Sequence, residues 1–323
     1  MKLKITVLLA LTSTFLGSGI LAALADNVKV TPLGGQTGEF CKLDRAMIFE
    51  DPDGTRVLYD PGMTVAGAND PRLGKIDAIL VSHMHFDHVG GKHNAELDSG
   101  TCSKPDLSVS AVPNTNVVNI AVAKKSKIVT GSEMPPFFAA KLKAVGGNPK
   151  DSILARFGAT KKVGGVSVST VPAVHSNGLS PALIGGELGS AMKAAGFSGY
   201  VGPPTGYVLR FSNGLVAYLS GDTGMTAEQE KVVRGFYDAK LVVINIGDTF
   251  TTGPKEAAYV VNELVKPASV IPSHANEEAT KDGKVVAGTR TDSFQKAVKV
   301  PVHIPLSGKT MEFDGGGKCV SGC

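Results

Sequence analysis

Three histidines and one aspartate lie within six consecutive residues, at His83, His85, Asp87 and His88. They follow residues 76–81, an apolar run interrupted only by Asp77, which predicts a strand buried on both faces. Side chains two residues apart on an extended chain point to the same side, so His83 and His85 can bind one cation together. Asp87 and His88 come where the chain turns toward two glycines, and they can face a second position nearby. Imidazole and carboxylate groups are ligands for zinc, and also for iron or manganese.

Three later residues of the same chemical types also follow predicted strands: His175, Asp222 and His274. Each one alone is more typical of a structural histidine or of an aspartate that caps a turn. Ligands beyond strand ends can converge on one cleft, however, so these residues and the first cluster together predict one metal site. The two remaining histidines have no role in it. His93 is predicted to begin a solvated helix, and His303 to be a hydrogen-bonded strand residue.

Two further polar residues have open interpretations. Asp248 follows a predicted strand and precedes a Gly-Pro pair, so it either borders the cleft or caps a turn. Arg290 either binds an anionic group of a substrate or is a surface arginine at the start of a helix.

The predicted secondary structure that positions these residues begins with short strands and continues with strands that alternate with helices. Residues 28–33, 46–49 and 56–59 predict three short strands of a β-meander, separated by a glycine pair and an Asp-Pro-Asp-Gly turn. Later strands alternate with helices in each half of the chain, which predicts two packed mixed sheets with helices outside. Residues 181–204 have no clear periodicity, and we interpret them either as a surface connection or as a flap over the site.

The ordered set of candidate residues resembles the metallo-β-lactamase superfamily. The shared features are the His-x-His-x-Asp-His signature, the later His, Asp and His in the same order, and the segment 58–62 near the start. Within that superfamily, residues 216–224 and 246–258 are similar to the ascorbate-6-phosphate lactonase-like group of metal-dependent hydrolases. The resemblance covers the whole mature chain. It implies an α/β fold, namely an αββα sandwich of two mixed β-sheets flanked by helices, with a cleft for two metal ions.

The resemblance also implies a role for each candidate residue. Three histidines would bind the first metal ion: His83, His85 and His175. One carboxylate and two histidines would bind the second: Asp87, His88 and His274. Asp222 would bridge the two ions. Asp87 would also relay a proton to the leaving group, and Asp60 would either orient a ligand imidazole or cap a turn. The implied cofactors are two divalent cations, Zn²⁺ in the first place, with Mn²⁺ or Fe²⁺ as alternatives.

The function implied is that of a metal-dependent hydrolase in which a hydroxide bound by two metal ions cleaves an ester, lactone or phosphodiester bond of a small molecule. A β-lactam hydrolase is an alternative, but the antibiotic-cleaving members of the superfamily generally have no bridging aspartate at the position of Asp222. An iron-dependent oxidoreductase of the same fold and a non-catalytic exported metal-binding protein are two further alternatives. Residues 1–25 resemble a secretory signal, and the export that they predict argues against the sugar-phosphate lactone that the cytoplasmic relatives process.

The first 25 residues have the composition of a secretory signal. Lys2 and Lys4 precede an apolar stretch at residues 5–25, which ends in Ala-Leu-Ala before Asp26. This pattern predicts cleavage after Ala25, which leaves residues 26–323 as a single secreted or periplasmic domain. An uncleaved membrane anchor is the alternative, because the stretch approaches spanning length. After cleavage we expect no stable membrane insertion.

Export places the four cysteines in an oxidising compartment, so two disulfides are predicted. Pairing Cys319 with Cys323 leaves Cys41 with Cys102, and pairing the tail with the body of the protein is equally allowed. The 33 basic and 29 acidic residues give a net charge of +4, two units of which lie in the leader. This balance excludes nucleic acid as a predicted partner. The sequence does not predict an oligomeric state.

Overall fold

The structure is a computed structural model that describes residues 27–323. The predicted signal, residues 1–25, lies outside the described residues. Within 27–323 the strands are β1 Val28–Pro32, β2 Met47–Glu50, β3 Arg56–Tyr59, β4 Ala78–Leu80, β5 Lys92–His93, β6 Val109–Ser110, β7 Lys127–Thr130, β8 Ser152–Leu154, β9 Thr160–Val163, β10 Val166–Pro172, β11 Gly178–Leu179, β12 Gly199–Tyr200, β13 Thr205–Arg210, β14 Val216–Leu219, β15 Leu241–Asn245, β16 Ser269–Ser273, β17 Thr280–Lys281, β18 Lys284–Val285, β19 Met311–Phe313 and β20 Cys319–Ser321.

The helices of the same range are mostly short. They are α1 Phe86–Val89, α2 Asn116–Lys124, α3 Met134–Ala144, α4 Pro181–Ile184, α5 Gly186–Ala194, α6 Pro254–Tyr259 and α7 Arg290–Ala297. A 3₁₀ turn covers Pro149–Asp151, and two segments have wider π-helical turns, Gln229–Arg234 and Val260–Val265. The second π-helical segment continues directly from α6.

Two mixed sheets form the centre of the protein. The first has the strand order β20-β19-β1-β2-β3-β4-β7-β8, and the second has the order β16-β15-β14-β13-β10-β9. In the first sheet, β1, β2 and β3 form the predicted antiparallel meander, while β3, β4, β7 and β8 run parallel. In the second sheet, β14, β15 and β16 are the parallel strands. Parallel neighbours in a sheet have their carboxyl ends at the same edge. The site residues that follow β14 and β16 therefore lie at one edge of the second sheet.

Alternation along the strands divides the apolar residues between two layers. In β3, Val57 and Tyr59 face the other sheet, whereas Leu58 faces the helices outside the first sheet. In β15, Val243 faces the first sheet, and Val242 packs against the helices outside the second. Successive strand side chains point to opposite faces, so a strand buried on both faces needs apolar residues at every position.

The helices cover the outer faces of the two sheets. Residues of α2 and α3 complete the apolar cluster outside the first sheet, and residues of α6 and α7 complete the one outside the second. The result is the αββα sandwich that the resemblance implies, with a third apolar cluster between the sheets. Tyr207 of β13 crosses that interface and is fully buried, with its hydroxyl 2.7 Å from the Val81 oxygen and 3.1 Å from that of Val129.

The segment 181–204 had two interpretations, a surface connection or a flap over the site, and the structure favours the surface connection. It contains α4, α5 and β12, and it does not line the cavity at the candidate site. Leu183 packs in the apolar cluster outside the first sheet. Glycines interrupt the helical pattern at residues 185, 186 and 189, which explains why the sequence shows no clear periodicity there.

The cysteines pair within the body and within the tail. Cys41 is bonded to Cys102, and Cys319 is bonded to Cys323. Of the three pairings that the sequence allows, this is the one with a small terminal ring. Over residues 27–323, the structure contains no helix long and apolar enough to cross a membrane.

Candidate metal centre

All seven predicted ligands lie at one edge of the sandwich, just beyond strand ends. His83 follows β4, and the short helix α1 after it carries Asp87 and His88. His175, Asp222 and His274 follow β10, β14 and β16 of the second sheet. Both sheets therefore contribute side chains to one cleft, as the placement of these residues in the sequence predicts.

Three histidine nitrogens form the first group of possible ligand atoms. Nε2 of His83 lies 2.9 Å from Nδ1 of His85, and Nε2 of His175 lies 3.3 Å from the same Nδ1. Three imidazole nitrogens that converge on one point are a typical donor set for a divalent cation. His83 is fully buried, whereas His85 and His175 are accessible from the cleft.

The second group contains one carboxylate and two histidines. Nε2 of His274 lies 3.3 Å from Oδ2 of Asp87, and Nε2 of His88 lies 3.7 Å from it. The ligand atoms within each group all lie within 4.8 Å of one another. The arrangement therefore offers a second set of three donors beside the first.

Asp222 lies between the two groups. Its Oδ2 is 3.8 Å from Nε2 of His83 and 3.7 Å from Nε2 of His175, which belong to the first group. The same oxygen is 3.4 Å from Nε2 of His88 and 3.0 Å from Nε2 of His274, which belong to the second. One buried carboxylate thus faces both sets of donors.

Unpartnered polar atoms indicate that the site fits a cation. Two of its atoms, Nε2 of His88 and Oδ1 of Asp222, are buried and form no hydrogen bond with any of residues 27–323. A buried polar atom left without a partner costs about 1–3 kcal/mol, so such atoms in a native fold require an explanation. A cation bound between His88 and its neighbouring donors would satisfy Nε2 of His88, and the imidazole and carboxylate donors are of the type that divalent metals prefer.

Opposing effects set the protonation of the site in the absence of metal. Burial lowers the pKa of His83 well below its usual value, and the neighbouring His88 adds to this effect. Burial acts in the same direction on His88, but the carboxylates of Asp222 and Asp87 outweigh it and raise the pKa of His88 well above its usual value. Burial raises the pKa of Asp222, whereas His88 and His274 lower it well below the usual range. Without metal, the carboxylates around His88 therefore favour its protonated form.

Comparison with known proteins identifies the family. A model of the beta-lactamase superfamily domain matches residues 55–275. This chain belongs to the metallo-β-lactamase superfamily. A UPF0173 metal-dependent hydrolase of Koribacter versatilis is 29% identical to it over 263 residues, which are 80% of this chain and 91% of the relative. Another, from Anaeromyxobacter sp. strain K, is 30% identical over 237 residues, or 71% of each chain. The fold is similar to that of a metallo hydrolase of Ignicoccus hospitalis, with a TM-score of 0.59, 20% identity, and coverage of 89% of this chain and 99% of that one.

The predicted superfamily, fold and enzyme class are thereby confirmed: the protein is a metal-dependent hydrolase with a metallo-β-lactamase fold. Its similarity to the ascorbate-6-phosphate lactonase-like group stays a prediction, because the relatives named above are described only as metal-dependent hydrolases.

Asp60 of this hydrolase contacts one of the ligand imidazoles. Its Oδ2 lies 2.8 Å from Nδ1 of His88 and 2.7 Å from Oγ of Ser82, and its Oδ1 accepts a hydrogen bond of 2.8 Å from the backbone N–H of Ser82. A carboxylate on the far nitrogen of a ligand histidine fixes the ring and directs its other nitrogen toward the metal position. Of the two roles considered for Asp60, this geometry corresponds to the orienting one.

Sequence reasoning missed two residues of the site, Arg45 and Asn276. Arg45 is 3% exposed, and its Nη2 lies 3.1 Å from Oδ2 of Asp87 and 2.8 Å from Oδ1 of Asn276. Arg45 comes from the loop before β2, and Asn276 follows His274, so their contact joins the two halves of the chain. No spacing or motif marks Arg45. The only local signal is a charged residue directly before an apolar strand.

Two glycines allow the backbone to approach the ligands closely. A side chain at Gly247 would collide with the backbone oxygen of His274. Gly62 has a φ of 58°, and a side chain there would collide with the backbone oxygen of Asp87. Both ligand segments therefore depend on a glycine in a neighbouring loop.

A cavity of about 610 Å³ opens onto the ligands. Asp248 and Arg290, each of which had two possible interpretations, both line it, and Arg290 is also the first residue of α7. Their side chains are thus available to a substrate. The cavity is large enough for a small molecule of ordinary size.

The remaining histidines lie outside the cleft. His93 was predicted at a solvated helix start, and this is wrong: it is buried in β5, with Nδ1 2.7 Å from the Asn94 oxygen. The pairing of β5 with β6 takes precedence over the local polar sequence. His303 has a backbone N–H that donates to Val270, but its buried Nε2 has no hydrogen-bond partner within residues 27–323, so the ring is less fully bonded than predicted.

Proposed function

We propose that this protein is a dinuclear hydrolase that cleaves an ester, lactone or phosphodiester bond in a small molecule. The position of Asp222 carries the proposal, because its Oδ2 lies 3.0–3.8 Å from histidine nitrogens of both ligand groups. In two-metal hydrolases the ions are about 3.5–4 Å apart, a distance that one carboxylate can bridge. Zn²⁺ is the proposed ion, with Mn²⁺ or Fe²⁺ as alternatives, since all three accept imidazole and carboxylate ligands.

Divalent cations in this site would polarise an oxygen of the substrate and make an attacking water more acidic. The protein's own residues prepare the site for that chemistry. Asp60 keeps the ring of His88 in one orientation, and Arg45 holds the carboxylate of Asp87. Burial raises the pKa of Asp87, but His88 and His274 lower it well below the usual range. Asp87 is therefore ionised at neutral pH, as a metal ligand requires, and its role as a proton relay stays a prediction.

Asp222 also supports this proposal over a β-lactam hydrolase. A carboxylate that faces both donor sets is the feature expected of lactonase- and phosphodiesterase-type members of the superfamily. The relatives are described as metal-dependent hydrolases, which favours hydrolysis over an iron-dependent oxidation or a purely metal-binding role.

The proposal is tested by metal analysis of the mature protein together with a panel of lactone, phosphodiester and β-lactam substrates. We expect two ions per chain and turnover of a lactone, ester or phosphodiester. His85→Ala and Asp222→Asn should each lower kcat/KM more than about 100-fold, because even loss of a group behind a ligand costs 10–100-fold. His303→Ala, outside the cleft, is the matched control. Full activity in both ligand variants, or a single ion per chain, would contradict the two-metal site.

We also propose that the protein is exported and begins at Asp26 in its mature form. The charged and apolar leader supports this, and the two disulfides agree with an oxidising compartment. The mass of the protein isolated from the exporting cell tests the proposal. A mass that retains residues 1–25 would contradict cleavage.

A further inference from the structure

The side of the cleft next to His274 carries positive charge that the candidate metal ligands do not neutralise. Lys42 is exposed and Arg290 is half-buried, and both line the cavity. Within residues 27–323, the polar contacts of the Arg290 guanidinium are made by Nη1, which lies 3.4 Å from the backbone oxygen of Ala275 and 3.8 Å from Oε2 of Glu277. Glu277 is itself held at the start of α7, where it accepts hydrogen bonds from the backbone N–H groups of Arg290 and Thr291. Arg290 therefore retains donors for a ligand.

The apolar side chains exposed at the cleft come from segments beside His175, one of which also carries the exposed carboxylate of Asp248. Phe250 lines the cavity and is 68% exposed, and Val174 and Met225 beside it in the fold are 63% and 50% exposed. Backbone hydrogen bonds join the three segments that carry these residues. Large apolar side chains that remain exposed beside a cleft are typical of a binding surface.

The loop that carries Phe250 is held in a strained conformation. Asp248 and Thr249 have φ values of 58° and 57°, in the left-handed region that non-glycine residues rarely occupy. The Thr249 N–H donates to Oδ1 of Asp248 at 2.7 Å, and Asn245 Nδ2 donates to Oγ1 of Thr252 at 2.6 Å. Strain of this kind persists where the surrounding structure enforces it, and it occurs often at binding sites. The loop therefore keeps Phe250 at the mouth of the cleft.

We propose that the substrate of this hydrolase is an amphipathic anion. Its apolar group packs on Phe250 at the His175 side, and its carboxylate or phosphate lies against Lys42 and Arg290 at the His274 side. The inference rests on the proposed function, since the scissile bond would lie between these two contacts, over the ligand groups. It adds an orientation and a chemical class to that function.

Binding of product-like ligands tests the inference without turnover. Calorimetric titration of the zinc-loaded protein measures the affinity for four ligands: 4-phenylbutyrate, neutral 4-phenylbutanol, acetate and 4-phenylbutylphosphonate. The phosphonate, compared with the butyrate, separates a preference for phosphate from one for carboxylate. We expect one of the two phenylalkyl anions to bind at least tenfold more tightly than both the alcohol and acetate. Covering an exposed phenylalanine is worth about a ten- to hundredfold gain in affinity.

Variants with matched controls test separately the contact of the apolar group with Phe250 and that of the anionic group with Lys42 and Arg290. Phe250→Ser should weaken binding of the phenylalkyl anion about tenfold and leave acetate unchanged, whereas Phe236→Ser, at an exposed site outside the cavity, should change neither. The double variant Lys42→Gln/Arg290→Gln should remove the preference for anion over alcohol, and the exposed Arg156→Gln should keep it.

Three results would overturn the inference. They are equal binding of anion and alcohol by the wild type, unchanged binding by Phe250→Ser, and a preference for the anion that survives in the double variant. The last result would mean that the bound zinc alone selects the anion. Failure of the proposed function is recognised separately, because a protein without hydrolase activity or without two ions can still show the two binding preferences.

Discussion

Asp60 is the residue whose role can be separated most cleanly from that of the ligands. Asp60→Asn preserves the size of the side chain but removes the anionic acceptor on Nδ1 of His88. We expect the affinity for zinc to fall about 10–100-fold, because groups behind a metal ligand contribute that much. Competition with a chromophoric chelator measures the affinity of each protein for zinc. Asp70→Asn is the control, since Asp70 is also buried and paired, but with Arg72. It should keep the affinity for zinc, and equal affinities for all three proteins would show that Asp60 does not orient the ligand.

At the scale of single residues, the sequence predicts the candidate metal ligands better than the side chains that contact them. The seven candidates are recognisable because His and Asp occur in a short motif and then again after strand ends. Arg45 carries no such signal, because its contacts with Asp87 and Asn276 join positions 42 and 231 residues away in the sequence. Contacts of that kind depend on how the two sheets pack, and no local pattern encodes them.

At the scale of elements, Tyr207 connects the second sheet to the strand that precedes His83. Its hydroxyl lies near the oxygens of Val81 and Val129, beyond β4 and on β7. Tyr207→Phe leaves these buried oxygens without that donor, and we expect the free energy of unfolding to fall by about 1–3 kcal/mol. Urea denaturation of the metal-free protein measures it. Tyr200→Phe, at a site 74% exposed, should be neutral, and a neutral Tyr207→Phe would mean that the hydroxyl makes no net contribution.

The strands were predictable to within a few residues, whereas the loops were not. Strands β1 to β4 were recognisable because apolar residues there are bounded by Gly, Pro and Asp. The segment 181–204, for which a flap was one of two interpretations, is largely helical and lies outside the cavity, whereas residues 247–250 line it. That loop has two left-handed non-glycine residues in succession, a conformation imposed by its surroundings and not by its sequence.

At the scale of the whole molecule, both sheets supply ligands, so a bound metal should stabilise the fold as a unit. We expect Zn²⁺ to raise the Tm of the metal-free protein, because a ligand that binds only the native state stabilises it. The increase should grow as the pH rises above about 6.5, the pKa of an unperturbed histidine. Nearby carboxylates raise the pKa of His88 well above that value, so a proton competes with the metal until the pH reaches the raised pKa.

The stability of the metal-free protein changes in the opposite direction over the same range. Pairing of protonated His88 with Asp222 and Asp87 stabilises the fold fully below the unfolded pKa, and this contribution is lost as the pH rises through the raised pKa. The two carboxylates have depressed pKa values, so they stay ionised throughout. Calorimetric scans with and without Zn²⁺ at several pH values measure both effects. A rise in Tm on addition of Zn²⁺ that is the same at every pH would contradict competition between the metal and a proton on His88.

The two ends of the described chain meet in one sheet, and this has a consequence for the order of folding. Val28 of β1 pairs with Phe313 of β19, and Asn27 donates a hydrogen bond to Glu312, 285 residues away in the sequence. The first sheet therefore cannot be completed until the last strands of the chain have been synthesised. Proteins dominated by contacts between distant residues fold slowly, on the order of milliseconds to seconds. The ligands near His83 thus exist in the growing chain long before His274, and a chain released before residue 274 carries an incomplete metal site.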